Sequence, residues 1–271
     1  MKMGIMQPYF FPYLGHFALI AAVDEWVVFD ITQYTRKSWI NRNRVLHPDE
    51  GWQYISIPLQ NSSIHINILE AEVANFRDQE RYVLGKISHY KGRAPYYAQV
   101  CDIVRSAFAG AADTHLVSLN VCGLRSVCEY LGLEFWHRIF STLTIEHPKT
   151  LRAGKWAPWI STKLSADVYI NPVGGRERFD PADFIGKGID LQFLDFEPFV
   201  YDTPGYHFAE NLSILDVLMW NHPDAIVQAI GVNSSLIPAL TEEYAVVRDT
   251  NERGLSDLRV PDTGLTDSRI F

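Results

Sequence analysis

The sequence predicts an α/β fold: a mainly parallel sheet with flanking helices, plus a small β meander and a helical insertion. Three observations carry this. Residues 2–6 (KMGIM) and 25–29 (EWVVF) have the pattern of short buried strands, separated by a loop and the helix-like run HFALIAAVD. That is the opening of a βαβ unit and predicts two parallel neighbours. A second α/β passage begins near residue 134, with strands at 167–171 (DVYIN) and 188–196 (GIDLQFLDF). Between the two passages, residues 78–92, 95–109 and 115–131 carry helical periodicity.

In chain order, the first strand leads into QPYFFPYLG, a loop rich in proline and aromatic residues. After the second strand, polar turn residues alternate with the runs WQYISIPL and HINILEAEV, which predict a meander or hairpin beside the sheet. In the third helix, Leu116, Leu119, Val127 and Leu131 form one buried stripe, and Gly132 suits its end because glycine adopts the left-handed conformation cheaply. Further helices are expected at 156–165 and 212–221, and NHPDAIVQAIG predicts a terminal helix stopped at Gly231. Beyond about 235 periodicity fades. The expected organisation is one α/β domain over 1–234, with its helical insertion at about 78–131, and a C-terminal tail over 235–271.

With 47% hydrophobic and 21% charged residues, the chain has enough apolar content to bury a large core. A net charge of -8 argues against a nucleic-acid binder, which needs a basic stripe for phosphates. Cys101, Cys122 and Cys128 lie among apolar neighbours in helical segments and lack metal-ligand spacing, which suits buried thiols in a reducing compartment. The histidines show no pairing spacing, so no metal site is expected. The apolar start is broken by Gln7 and Pro8, so no signal peptide is expected, and no window approaches the length of a membrane span. A cytoplasmic protein is the expectation.

Ligands of open α/β sheets bind beyond the carboxyl ends of the strands. The segment from Gln7 to His16 falls there. Pro8 and Pro12 stiffen it, Tyr9 and its aromatic neighbours offer flat surface to a sugar or base, Gln7 can donate or accept, and Gly15 permits close approach. The competing reading is a rigid corner of core. Gly15-His16 also resembles part of the His-x-Gly-His sequence of nucleotidyltransferases, but Tyr13 stands where the first histidine belongs.

The runs MQPYFFPYLGHF, VDEWVVFD, SWINRNRV, CEYLGL, YINPVGGRERFD and LSILDVLMWN, dispersed in order over residues 2–230, resemble the WbqC-like family. The resemblance implies a place in the synthesis of O-antigens and related surface polysaccharides, and a role in modifying an amino sugar, with transfer of an aminoacyl group such as glycine. N-acylation of a sugar amine needs a base, a donor for the developing oxyanion and positioning of both substrates. Asp30, at the carboxyl end of the second strand, is the leading candidate base, against a turn-capping role; His16 is the other, against a structural role at a helix start.

Trp39, Asn41, Arg42 and Asn43, followed by Arg44, form the densest polar constellation: stacking, sugar-hydroxyl contacts and a diphosphate grip are all available, with a charged hairpin edge as the alternative. Strand alternation would set Trp39, Asn41 and Asn43 on one face and the two arginines on the other. Asn171, Gly174, Gly175 and Arg176 follow a strand and could cradle an anion, or form a tight turn. Ser213 and Asp216 fit a variant capping box.

The expected function is an acyl- or aminoacyltransferase acting on the amine of a nucleotide-linked amino sugar. No tightly bound cofactor is expected; a carrier-protein phosphopantetheine thioester or a coenzyme A thioester is the candidate donor, which makes an acyl carrier protein a candidate partner. The alternative is a non-catalytic module that binds the sugar nucleotide or a partner enzyme of the same pathway.

Overall fold

The computed structural model describes residues 1–239 except 62, 64 and 150. Its strands in chain order are β1 (Lys2–Met6), β2 (Glu25–Val28), β3 (Arg42–Leu46), β4 (Trp52–Ser56), β5 (His137–Ile139), β6 (Val168–Pro172), β7 (Asp190–Phe196) and β8 (Ser234–Pro238). The helices are α1 (Leu14–Ala21), α2 (Phe76–Ile87), α3 (Tyr97–Gly110), α4 (Leu116–Leu131), α5 (Ala153–Lys163), α6 (Ala182–Ile185), α7 (Ile214–Trp220) and α8 (Pro223–Asn233).

Six strands form one sheet in the order β5-β2-β1-β6-β7-β8, parallel except for β8, which runs antiparallel to β7. β3 and β4 make a separate antiparallel hairpin. The fold is therefore the expected α/β sheet with flanking helices, a small β element and a helical insertion.

Strand alternation sorts the core into two faces, as the two-residue period requires. Met3, Ile5, Val27, Phe29, Tyr169, Leu191 and Phe193 pack with Ala157 and Ile160 of α5 and Phe184 of α6. Met6, Trp26, Val28, Ile170 and Leu194 face the thicker layer, built from α1, α3, α4, α7, α8 and the hairpin. α4 ends as its sequence requires: Gly132 takes φ 68 and its N–H closes onto the carbonyls of Cys128 and Glu129.

The winding reverses between β1 and β6. From β1 the chain builds outward through β2 and β5 on one side; from β6 it builds through β7 and β8 on the other. β1 pairs with β2 over Met3–Met6 but with β6 only at Lys2 and Met3. The carboxyl half of β1 thus has no ladder with β6, and this is the topological switch point at which open α/β sheets admit ligands.

Three expectations need correction, and two elements were not foreseen. HINILEAEV is no sheet strand: it holds a short 3-10 turn, Ile68–Glu70, and single bridges from Asn67 to Gln33 and from Val73 to Leu59. The expected terminal helix runs past Gly231 to Asn233, because helical contacts on Ile226, Ala229 and Ile230 outweigh one glycine. Residues 235–238, assigned to the tail, pair with β7; the remainder of the expected tail, 240–271, lies outside the described residues. β5 and α6 carried no expectation, because three and four residues are too few to establish a period.

Candidate functional site

The loop after β1 is rigid, and most of its rigidity comes from far along the chain. Asn43 donates to the carbonyls of Phe10 (3.1 Å) and Phe11 (2.8 Å), and its own Oδ1 accepts from the Arg44 amide. Asn120, within α4, donates to the carbonyls of Pro8 and Ile40, both at 2.7 Å. Ser213 Oγ donates to the Phe11 carbonyl at 2.7 Å. These bonds hold Phe11 at φ 38, a left-handed conformation that a bulky side chain enters only when its surroundings impose it.

Within this frame Tyr9, Phe10 and Phe11 are buried core, as the corner-of-core reading had it. Burial raises the Tyr9 phenol well above its ordinary pKa; the neighbouring Tyr13 adds to the rise and the Arg178 charge opposes it. Gly15 has a steric reason: a Cβ there would lie 2.5 Å from the Tyr13 ring, so glycine lets that ring cross the helix start. Gln7 reaches sideways from the switch point and donates to Thr32 Oγ1 at 2.9 Å, which ties it to the segment carrying Asp30.

His16 does not stand in an accessible site. Its ring packs against Trp26 (4.8 Å), Tyr9 (5.5 Å) and Phe17 (6.3 Å), and its Nε2 has no hydrogen-bond partner. Burial lowers its pKa to about 3. A neutral imidazole sealed among aromatic rings is core, so the second candidate base is withdrawn.

The 39–44 constellation divides differently from the strand alternation. Asn43 is consumed by the loop carbonyls, and Asn41 by the Ile57 carbonyl (2.8 Å) and the Tyr34 hydroxyl (3.1 Å). Arg42 lies over Tyr54 at 4.1 Å. Arg44 lies between Trp39 (5.3 Å) and Trp52 (5.0 Å), so Trp39 joins the arginine face because the chain turns before β3 begins. The two asparagines are scaffold and the arginines form a stacked hairpin surface.

Beyond β6, Asn171 is buried and occupied by the Tyr169 hydroxyl (2.9 Å) and by the Pro172 carbonyl (3.0 Å). Val173–Arg178 forms a 3-10 turn in which Gly175 is buried and Gly174 has open space where a Cβ would stand. Arg176 lies over the Phe193 ring and donates to the Ala239 carbonyl. Ser213 caps α7 through the Leu215 amide, but Asp216 does not complete the box; its buried carboxyl accepts from the hydroxyls of Tyr90 and Tyr201 and from the Leu46 amide.

Asp30, the other candidate base, stands beside a groove. It lies two residues beyond β2, and Ser141 follows β5, the neighbouring strand. Its carboxyl accepts from both the amide and the hydroxyl of Ser141. Burial pushes its pKa above the ordinary carboxylate range, against the lowering effect of those bonds. Asp30 and Ser141 open into a groove of about 450 Å³ between α4 and the edge strand β5. That volume lies in the range of small-ligand sites. Sequence reasoning missed Ser141, Arg125 and His137 in this groove, since nothing in their spacing joins a mid-helix arginine to a three-residue strand.

Among the described residues, no cluster of three or more His, Cys, Asp or Glu side chains could hold a metal, and no helix is long and apolar enough to cross a membrane. All three cysteines are buried and free.

Fold and site together define a doubly wound α/β protein with a switch point between β1 and β6 and, between α4 and β5, a groove bearing one buried carboxyl. The chain belongs to the WbqC-like protein family, whose sequence model matches residues 7–228. An uncharacterized protein of Mycobacterium tuberculosis, Rv1507c, is 27% identical over 219 residues, which cover 80% of this chain and 92% of that relative. No solved structure matches the chain significantly.

Proposed function

We propose that the protein is an acyl- or aminoacyltransferase acting on the amine of a nucleotide-linked amino sugar, in a surface-polysaccharide pathway. The observation that carries this reading is Asp30: a buried carboxyl, raised in pKa, bonded to Ser141 and opening into a ligand-sized groove. A carboxylate of raised pKa is a stronger base than one in water, closer in affinity to the proton it must remove.

In the proposed step the amine nitrogen attacks the carbonyl carbon of a thioester, and the Asp30 carboxylate accepts the proton lost by the amine. The C–S bond then breaks, the amide forms, and the proton passes to the departing sulfur to give a thiol. Ser141 Oγ–H is the donor closest to Asp30 and would turn toward the developing oxyanion. Sugar nucleotide would enter at the β1/β6 switch point, where Gln7 and the 173–178 turn follow the carboxyl ends of neighbouring parallel strands.

A second reading is favoured by one detail. Both Asp30 oxygens already accept from Ser141, which is also what a capping residue does. On that reading the protein binds the sugar nucleotide without catalysis. Mass spectrometry of reactions offering nucleotide-linked amino sugars with glycyl and short acyl thioesters separates the two. A mass gain that requires the free amine and is lost in Asp30→Asn supports transfer. Sugar-nucleotide binding without any product across the panel favours the binding module.

A further inference from the structure

The groove between α4 and β5 has an order along its length. One wall is a face of α4, Ser118, Val121, Cys122 and Arg125, and the other is the alternate residues His137, Ile139 and Ser141 along and just past β5. Asp30 and Ser141 stand at one end; Val121, Cys122 and Ile139 make an apolar midsection; Arg125 and His137 stand toward the other end. The closeness of the last pair has an independent sign: burial holds the His137 imidazole below its ordinary pKa against the raising bond to the Phe135 carbonyl, and the Arg125 charge adds to the lowering.

Two strand steps and two steps of a 3-10 turn separate His137 from Ser141, about 11 Å, and seven helix steps separate Ser118 from Arg125, about 10 Å. Among the described residues Arg125 has no carboxylate partner, in a chain whose net charge is -8. An exposed guanidinium, an apolar passage and a carboxyl–hydroxyl pair call for a slender ligand with an anion at one end and its reacting group at the other. A nucleotide-linked sugar does not suit: its diphosphate lies only a few bonds from the sugar amine, so a phosphate on Arg125 leaves the amine short of Asp30. The arm of a phosphopantetheine thioester does. Its two amide-bearing units set phosphate and sulfur apart by at least the span of four extended residues, about 13 Å when straight, so a slightly bent arm covers the length of the groove.

We infer that this groove is the donor site and takes the phosphopantetheine arm of an acyl thioester, with the phosphate on Arg125 and the thioester carbonyl beside the hydrogen-bonded Asp30–Ser141 pair. The inference rests on the acyl-transfer reading and names its donor channel. It leaves the β1/β6 switch point to the sugar nucleotide, so that the two substrates approach Asp30 from different sides.

The test is calorimetry of the full chain with phosphopantetheine and with pantetheine, which lacks the phosphate. Phosphopantetheine is expected to bind at least tenfold more tightly than pantetheine, and Arg125→Ala is expected to remove that difference while pantetheine binds as before. Val121→Trp, which fills the midsection, is expected to abolish binding of both, with circular dichroism as the folding control. Coenzyme A binding as well as phosphopantetheine assigns the source to coenzyme A; weaker binding assigns it to a carrier protein. Equal binding of the two probes to the wild type, unchanged discrimination in Arg125→Ala, or no binding of either probe overturns the inference. The two proposals fail separately. Product formation with an unaltered KM for the thioester in Arg125→Ala leaves transfer standing and removes this groove as the donor site. Arg125-dependent binding without product on any amino sugar keeps the groove and removes the acceptor.

Discussion

Asp30 and His16 are both ionisable, both buried and fourteen positions apart, yet the structure gives them opposite chemistry. Asp30 keeps hydrogen-bond partners and a groove beside it; His16 keeps only rings. Asp30→Asn preserves shape and removes the base, so turnover is expected to fall about 10²- to 10³-fold with sugar-nucleotide affinity retained, measured by steady-state kinetics beside calorimetry. Because the Asp30 pKa is raised, the acidic limb of the kcat/KM profile should lie above the ordinary carboxylate range; a limb at or below that range would remove Asp30 as the base. His16→Phe should leave turnover intact and remove a buried nitrogen without a partner, which costs about 1–3 kcal/mol.

At the scale of elements, the working edge depends on side chains that touch no ligand. Asn43→Ala would strip the Phe10 carbonyl of its side-chain donor and loosen the left-handed Phe11, for a loss of about 3 kcal/mol, read as a lowered midpoint in urea denaturation. An unchanged midpoint would show that the loop is held without it. Gly154, in the first turn of α5, abuts the carbonyl of Arg178, and a Cβ there would overlap that oxygen. Gly154→Ala must therefore displace the 173–178 turn, and weaker sugar-nucleotide binding with little change in thioester affinity is the expected result. Isothermal titration of each substrate reads both arms. β1, β2, β6 and β7, the loop and the principal helices were legible because each has a clear period or a glycine or proline at its boundary; β5 and β8 were not. The roles of Asn41 and Asn43 were not: an asparagine offers the same amide to a sugar and to a backbone carbonyl, and only the folded chain brings the carbonyls of residues 10, 11 and 57 to them.

Across the whole molecule, the buried ionisable groups set a pH dependence of stability. His16 binds its proton in the unfolded chain near its ordinary value of 6.5 and in the folded chain only near 3. The unfolded state therefore holds more protons in that window, and stability is lost as pH falls from about 6.5 toward 3. Asp30 and Asp216, raised by burial, act in the opposite sense: what they cost the fold grows as pH rises through their ordinary range. His16→Phe isolates the first effect. Its stability relative to wild type should grow by up to about 1.4 kcal/mol per pH unit below 6.5, in urea titrations at pH 5 and 8. Parallel curves would show that His16 is protonated alike in both states.

The order of the principal strands and helices, the apolar mass of the core and the family to which the chain belongs were determined by the sequence itself, since each is a matter of local period or of residues in succession. What only the tertiary structure decided is which polar groups meet. The reversal at β1 and β6 sets Gln7 and the 173–178 turn beyond the carboxyl ends of neighbouring parallel strands, and the pairing of β2 with β5 brings Ser141 to Asp30 across 111 positions. Long-range pairing of strands has no signature in the spacing of residues, because it is set by how two faces of one sheet are covered at once.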